Sequence, residues 1–120
     1  MQKGLMTRYI IFQILKSLKN EKINFDSIFL KKIKNSKFKP SDVKLIHNVV
    51  LTSMRYNLEI DQIIRIYTKK INKNSNSYFL ILSGIAQIVF LNFKDYAVIH
   101  SSVEIAKNKK ILKIYPAFIN

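Results

Sequence analysis

The chain has 120 residues, 48% of them hydrophobic, and its 21 Lys and Arg against 7 Asp and Glu give a formal net charge of +14. That length suits one domain around a single core, and the apolar fraction supports folding over disorder. The absence of Cys excludes disulfide frameworks, zinc–thiolate sites and Cys nucleophiles, while 2 Gly and 2 Pro leave few tight turns and favour long helices over a β fold.

Residues 1–6 read as an N-terminal tail, without the long apolar stretch or small-residue cleavage site of a signal peptide. A first helix is predicted from Thr7, as N-cap, to Asn20. Ile10, Ile11, Ile14, Leu15 and Leu18 recur there at helical spacing, and Arg8, Lys16 and Lys19 point elsewhere. Asn24 or Asp26 can cap a second helix through Lys34 that buries Phe25, Ile28, Phe29 and Ile33. A loop through Pro40 follows, then Ser41 as the next N-cap with Asp42 complementing the helix dipole. The third helix is predicted to reach Tyr56, with Leu45, Ile46, Val49, Val50 and Met54 inward. Asn57 is expected to break it. A fourth helix, about Glu59 to Lys70, would bury Ile60, Ile63, Ile64 and Tyr67.

The segment from Tyr78 to Leu91 is apolar on nearly every face. A bilayer-spanning helix needs about 20 apolar residues, and Ser83, Gly84 and Gln87 interrupt this shorter run. It is therefore predicted as a central core helix, with no membrane span and a cytoplasmic location. Asp95 is expected to cap a sixth helix through Lys107, and Pro116 can open a further helical turn. With no strand signal and no repeat, the expected fold is an all-α bundle of about six helices.

Residues 1–44 carry 11 basic and 3 acidic side chains, a net +8, and the other 76 carry 10 and 4, a net +6. A field of this sign raises the local concentration of polyanions, and nucleic acid is the favoured partner. Two other readings stand beside it. One is an acidic membrane surface. The other is compositional drift, since 18 of the 21 cations are Lys in a chain rich in Asn and Ile.

Val49-Val50-Leu51-Thr52-Ser53-Met54-Arg55-Tyr56, followed by Leu58-Glu59-Ile60-Asp61, resembles the "LVYGTLRW…LD" segment of the NusB-like RNA-binding domain. Gly84-Ile85-Ala86-Gln87-Ile88-Val89-Phe90-Leu91 resembles its "GAYQLLFL" helix. Ala97-Val98-Ile99 and Val103-Glu104-Ile105-Ala106-Lys107 look like its "AVVNEAVELAK" helix, and Phe118-Ile119-Asn120 like the "VN" that opens its last helix. Arg8 and Gln13 fall where the family carries an Arg and a Gln. The resemblance implies a NusB-like bundle over about Thr7 to Asn120, with the last helix truncated. It implies RNA, ribosomal or leader, as partner. A small-subunit ribosomal protein or a methyltransferase catalytic domain is a further possible partner.

The family occurs as an antitermination factor and as the N-terminal domain of a small-subunit ribosomal RNA cytosine methyltransferase. Met54-Arg55-Tyr56 looks more like the methyltransferase version. Departures are present too: Leu82 for an Arg, Ala86 for an aromatic, and His100 and Ser101 for the Asn and Glu of "NEAVE". Each removes a polar contact that the family pattern would supply.

The candidate RNA-binding residues are Lys3, Arg8, Lys16, Lys19, Lys37, Lys39 and Arg55. Arg8 can reach a phosphate or stack on an unpaired base. Arg55 beside Tyr56 suits RNA, but the plainer reading is that Arg55 bonds helix ends or pairs with Asp61 while Tyr56 packs. Lys31, Lys32, Lys34, Lys37 and Lys39 form the densest positive segment, and such runs are mostly solvated faces. No catalytic or metal residues and no cofactor are expected. His47 and His100 stand apart, the carboxylates are scattered, and Ser101 and Ser102 lack a His–Asp arrangement.

Overall fold

The computed structural model describes residues 3–20, 24–34 and 38–107, without the side chain of Lys3. They form α1 (Lys3–Asn20), α2 (Phe25–Lys34), α3 (Pro40–Arg55), α4 (Asn57–Tyr67), α5 (Asn76–Ile85), a π-helical turn (Ala86–Phe90) and α6 (Asp95–Lys107). No strand occurs among the described residues, so the all-α bundle stands as expected. Pro116, the Phe118–Asn120 match and the expected truncated last helix lie outside the described residues.

α5 is the axis of the bundle and packs against α1, α3, α4 and α6. Tyr78, Phe79, Leu80, Leu82, Ser83 and Gly84 are all buried, which is why this segment reads as apolar all round. Around it, Ile11, Ile14, Ile46, Val49, Val50 and Ile60 are wholly buried. Ser75 opens the helix, its Oγ accepting the Tyr78 N–H at 3.2 Å. No helix among the described residues is long and apolar enough to cross a membrane.

Helix boundaries differ from the sequence reading at several ends. α1 reaches back to Lys3, so most of the expected tail over 1–6 is helical, and Thr7 is a buried helical residue rather than an N-cap. Leu5 packs on the core and extends the apolar face toward the N-terminus. α2 is capped by Asn24, whose Oδ1 accepts the Ser27 N–H at 2.8 Å. α3 begins at Pro40 with Lys39, not Ser41, as N-cap. Proline at the first helical position gives up an N–H that the helix would leave unpaired anyway. Asp42 accepts the Lys39 backbone N–H at 3.3 Å.

Asn57 opens α4 instead of breaking the chain. Only Tyr56 separates the two helices, and the Asn57 amide donates to the Met54 carbonyl at 2.9 Å. Ser53 is fully buried where Met54 was expected, and Met54 is 40% exposed. Ser53 Oγ donates to the Val49 carbonyl at 2.7 Å, so this small polar residue sits inside without an unpaired group. α4 stops at Tyr67, which is 80% exposed rather than buried. There the Thr68 N–H and hydroxyl both donate to the Ile64 carbonyl, and Arg65 Nη1 donates to the Ile71 carbonyl, each at 2.8 Å. Lys69 and Lys70 lie beyond the helix. Asp95 stands in the first turn of α6, its Oδ1 accepting the Tyr96 N–H at 2.7 Å.

Candidate nucleic-acid interface

The π turn holds the polar centre of the bundle. Its backbone closes with the Leu91 N–H on the Ala86 carbonyl at 3.0 Å, the five-residue spacing of a π bulge. Gln87 is turned inward and is 2% exposed. Its Nε2 donates to the Ser83 carbonyl at 3.1 Å, and its Oε1 accepts from Arg8 Nε at 2.9 Å. The Phe93 N–H donates to the Gln87 carbonyl at 2.8 Å. Asn92 then takes a left-handed conformation (φ 57°), which Asn tolerates, and turns the chain into α6.

Arg8 is thus half-committed to structure. Its Nε is fixed to Gln87, and desolvation by burial lowers its pKa from the usual value, although a guanidinium stays charged at any ordinary pH. Gln13 is likewise engaged, its amide donating to the Tyr9 hydroxyl at 3.0 Å.

Arg55 is exposed, with its guanidinium 5.6 Å from the centre of the Tyr56 ring. Tyr56 in turn stacks on Phe90 of the π turn, ring centres 4.3 Å apart and planes 15° apart. The three form a ladder beside a shallow cleft that Asn48, Thr52 and Leu91 also line. Arg55 does not take Asp61. That carboxylate instead accepts the Tyr78 hydroxyl at 2.6 Å and pairs with Arg65 at 3.4 Å and Lys73 at 3.7 Å. The Tyr78 hydrogen bond is the main reason its pKa lies below the usual value, helped by the two cations.

The expected RNA residues therefore fall into separate places. Arg8 and Arg55 both meet the π turn, through Gln87 and through Tyr56 and Phe90. Lys19 lies at the other end of α1, roughly 16 Å along the helix from Arg8 at 1.5 Å per residue. There its Nζ donates to the Lys73 carbonyl at 3.3 Å and stands 5.6 Å from the Tyr78 ring centre. Lys16 is half-buried on α1, and Lys39 is exposed at the start of α3. Lys37 and the side chain of Lys3 lie outside the described residues. Sequence reasoning missed Gln87, Phe90 and Lys73 as parts of the site. The one available signal was Gln87, a polar residue inside an otherwise apolar run.

An exposed guanidinium on an aromatic ladder offers a flat, cationic surface that can stack an unpaired base and contact its phosphate. Among the described residues no three His, Asp or Glu are grouped so as to hold a metal ion.

These features define a small all-α bundle with a strongly basic balance and no assembled catalytic group among the described residues. The model of the NusB family matches residues 6–120, and the chain belongs to that family. Family membership supports an RNA-binding or antitermination type of role and a non-catalytic module. Among solved structures, the chain is similar to one in a crystal structure of a plectonemic RNA supercoil, with a TM-score of 0.83 and 23% identity over 99% of this chain and 89% of that one. No curated protein matches significantly.

Proposed function

We propose that this chain is a non-catalytic RNA-binding module, acting in the cytoplasm as the NusB-like part of a small-subunit ribosomal RNA cytosine methyltransferase. The observation that carries RNA binding is the convergence of Arg8 and Arg55 on the Ala86–Phe90 turn, with the Arg55–Tyr56–Phe90 ladder open to solvent on a chain of net charge +14. Lysines elsewhere supply long-range capture, and the ladder supplies contacts to unpaired bases. The likeness of Met54-Arg55-Tyr56 to the methyltransferase version supports that setting over an antitermination factor. The similar fold found in an RNA supercoil structure agrees with an RNA partner.

A protein-docking role is the second reading. Leu58, Ile66 and Tyr67 on α4 are 73%, 68% and 80% exposed, apolar side chains that RNA capture does not use.

Fluorescence anisotropy separates these readings. The purified chain is titrated into a short single-stranded leader RNA, a structured small-subunit ribosomal RNA fragment and a scrambled control, at low and near-physiological salt. The proposal expects the ribosomal fragment to keep its advantage over the scramble as salt rises. A leader RNA that keeps it instead moves the chain to antitermination. Equal binding at low salt and none at physiological salt overturns specific RNA recognition and favours docking to protein.

A further inference from the structure

A second cleft lies between α1, the α3–α4 corner and the start of α5, away from the Arg55 ladder. It encloses about 310 Å³, at the small end of the roughly 300–1,000 Å³ typical of ligand clefts. Leu15 and Leu18 of α1 and Phe79 and Leu82 of α5 give it an apolar lining, and Asn57 adds one amide. Asn57 spends one N–H on the Met54 carbonyl, which leaves its other N–H and its Oδ1 for a ligand.

The mouth is cationic. Lys19 and Lys73 line it, and Arg65 stands behind, 5.9 Å from the Tyr78 ring centre. Against these three cations stands one carboxylate, Asp61, already engaged by Tyr78, Arg65 and Lys73. The surplus is two positive charges beside an apolar slot. Lys73 is also preorganised, because its loop is held by its own hydrogen bonds. Asn72 Oδ1 accepts the Asn74 N–H at 2.8 Å, and the Asn72 carbonyl accepts the Ser75 N–H at 3.0 Å and hydroxyl at 2.7 Å. The Lys73 carbonyl fixes the Lys19 ammonium at 3.3 Å, so both amines sit at one edge of the slot.

We propose that this cleft is a subsite for one unpaired nucleotide of single-stranded RNA, base against Leu15, Leu18 and Leu82, phosphate on Lys19 and Lys73. The inference rests on the RNA-binding reading. Charge complementarity selects this occupant: an apolar peptide would fill the slot but leave the surplus of two positive charges at its mouth unanswered. A nucleotide supplies a flat apolar face and an anion a few ångströms apart, as the slot and its mouth require.

The test is methyl NMR of the whole chain with a four-nucleotide single-stranded RNA and its abasic counterpart, which has the phosphates but no bases. The RNA is expected to shift the methyl resonances of Leu15, Leu18 and Leu82, and the abasic chain to leave them in place. The double variant Lys19→Gln/Lys73→Gln, checked for folding by circular dichroism, should weaken binding roughly tenfold more than Lys44→Gln/Lys94→Gln, which removes the same charge from exposed lysines elsewhere. Unmoved methyls with intact anisotropy binding of longer RNA would overturn the subsite and leave the RNA reading standing. Equal weakening by the two double variants would do the same. Methyl shifts with an amphipathic peptide but not with RNA would reassign the cleft to protein docking. Failure of every RNA in both assays would remove the subsite together with the reading beneath it.

Discussion

Arg8 Nε and Gln87 Oε1, 79 positions apart in the chain, meet in a 2.9 Å hydrogen bond that ties the first helix to the π turn at the end of α5. One end of that bond is a buried amide and the other a half-buried cation. Gln87→Leu keeps the volume but leaves Arg8 Nε without its partner, Nη1 keeping only a long bond to the Gly4 carbonyl. A hydrogen bond to a charged group is worth about 1.5–3 kcal/mol, and this variant should lose stability near the lower figure in a urea melt. Its RNA affinity should fall as well, because Arg8 is no longer held in place. Unchanged stability would mean that the bond is not maintained in solution.

Ile14 is wholly buried on α1, which packs against both α3 and α5. Ile14→Asp places a carboxylate where neither water nor a cation can reach it, which costs more than about 4 kcal/mol and should unfold the domain. A circular dichroism melt matching the parent would contradict this placement of the core.

The Tyr78–Asp61 bond makes a pH prediction of definite sign. The folded-state pKa of Asp61 lies below its ordinary 3.8, so its contribution is present above that value and is lost as pH falls through the lowered one. Tyr78→Phe should flatten the decline of melting temperature as pH falls below 3.8 and cost about 1 kcal/mol at neutral pH, the exposed edge of the cluster weakening it. Burial and the same bond raise the pKa of Tyr78. An absorbance titration should show a late tyrosine ionisation that vanishes in Tyr78→Phe.

Gly84 offers a test of packing between α5 and α6. A Cβ there would stand 3.8 Å from Val98 Cγ1 and 3.9 Å from Ser102 Oγ, ordinary contact distances. Gly84→Ala should therefore raise stability by about 0.5–1 kcal/mol through helix propensity. Gly84→Leu should lower it by about 1–3 kcal/mol by forcing the helices apart. Thermal melts of the two variants should move in opposite directions.

The core was legible because one-sided burial writes a 3.6-residue period. Ile11, Ile14, Ile46, Val49, Ile60 and Ile64 are buried where that period places them. Periodicity failed near helix ends. Tyr67 sits on the inward repeat of α4, but Thr68 closes the helix one residue later and the ring is left in solvent. Ser53 takes the inward position with its hydroxyl paired to the Val49 carbonyl, and Met54 turns partly to solvent. The site was legible only as a list of cations. Sequence cannot say that Arg8 is bonded across the bundle, that Arg55 lies on Tyr56 while Arg65 and Lys73 take Asp61, or that Lys19 meets the Lys73 carbonyl. Those facts depend on which helices become neighbours.

The π turn also shifts phase. It fits one more residue into its span than a regular helix would, and one residue is about 100° of rotation. Side chains on either side of it therefore belong to two different wheels. This explains how an apolar run can bury Leu82 and Ala86 yet leave Val89 53% exposed, with Gln87 aimed inward and Phe90 outward onto Tyr56. Removing a single residue between 86 and 90 would restore one continuous wheel, turn Phe90 away from Tyr56 and take the platform from under Arg55, with every charge of the protein still present.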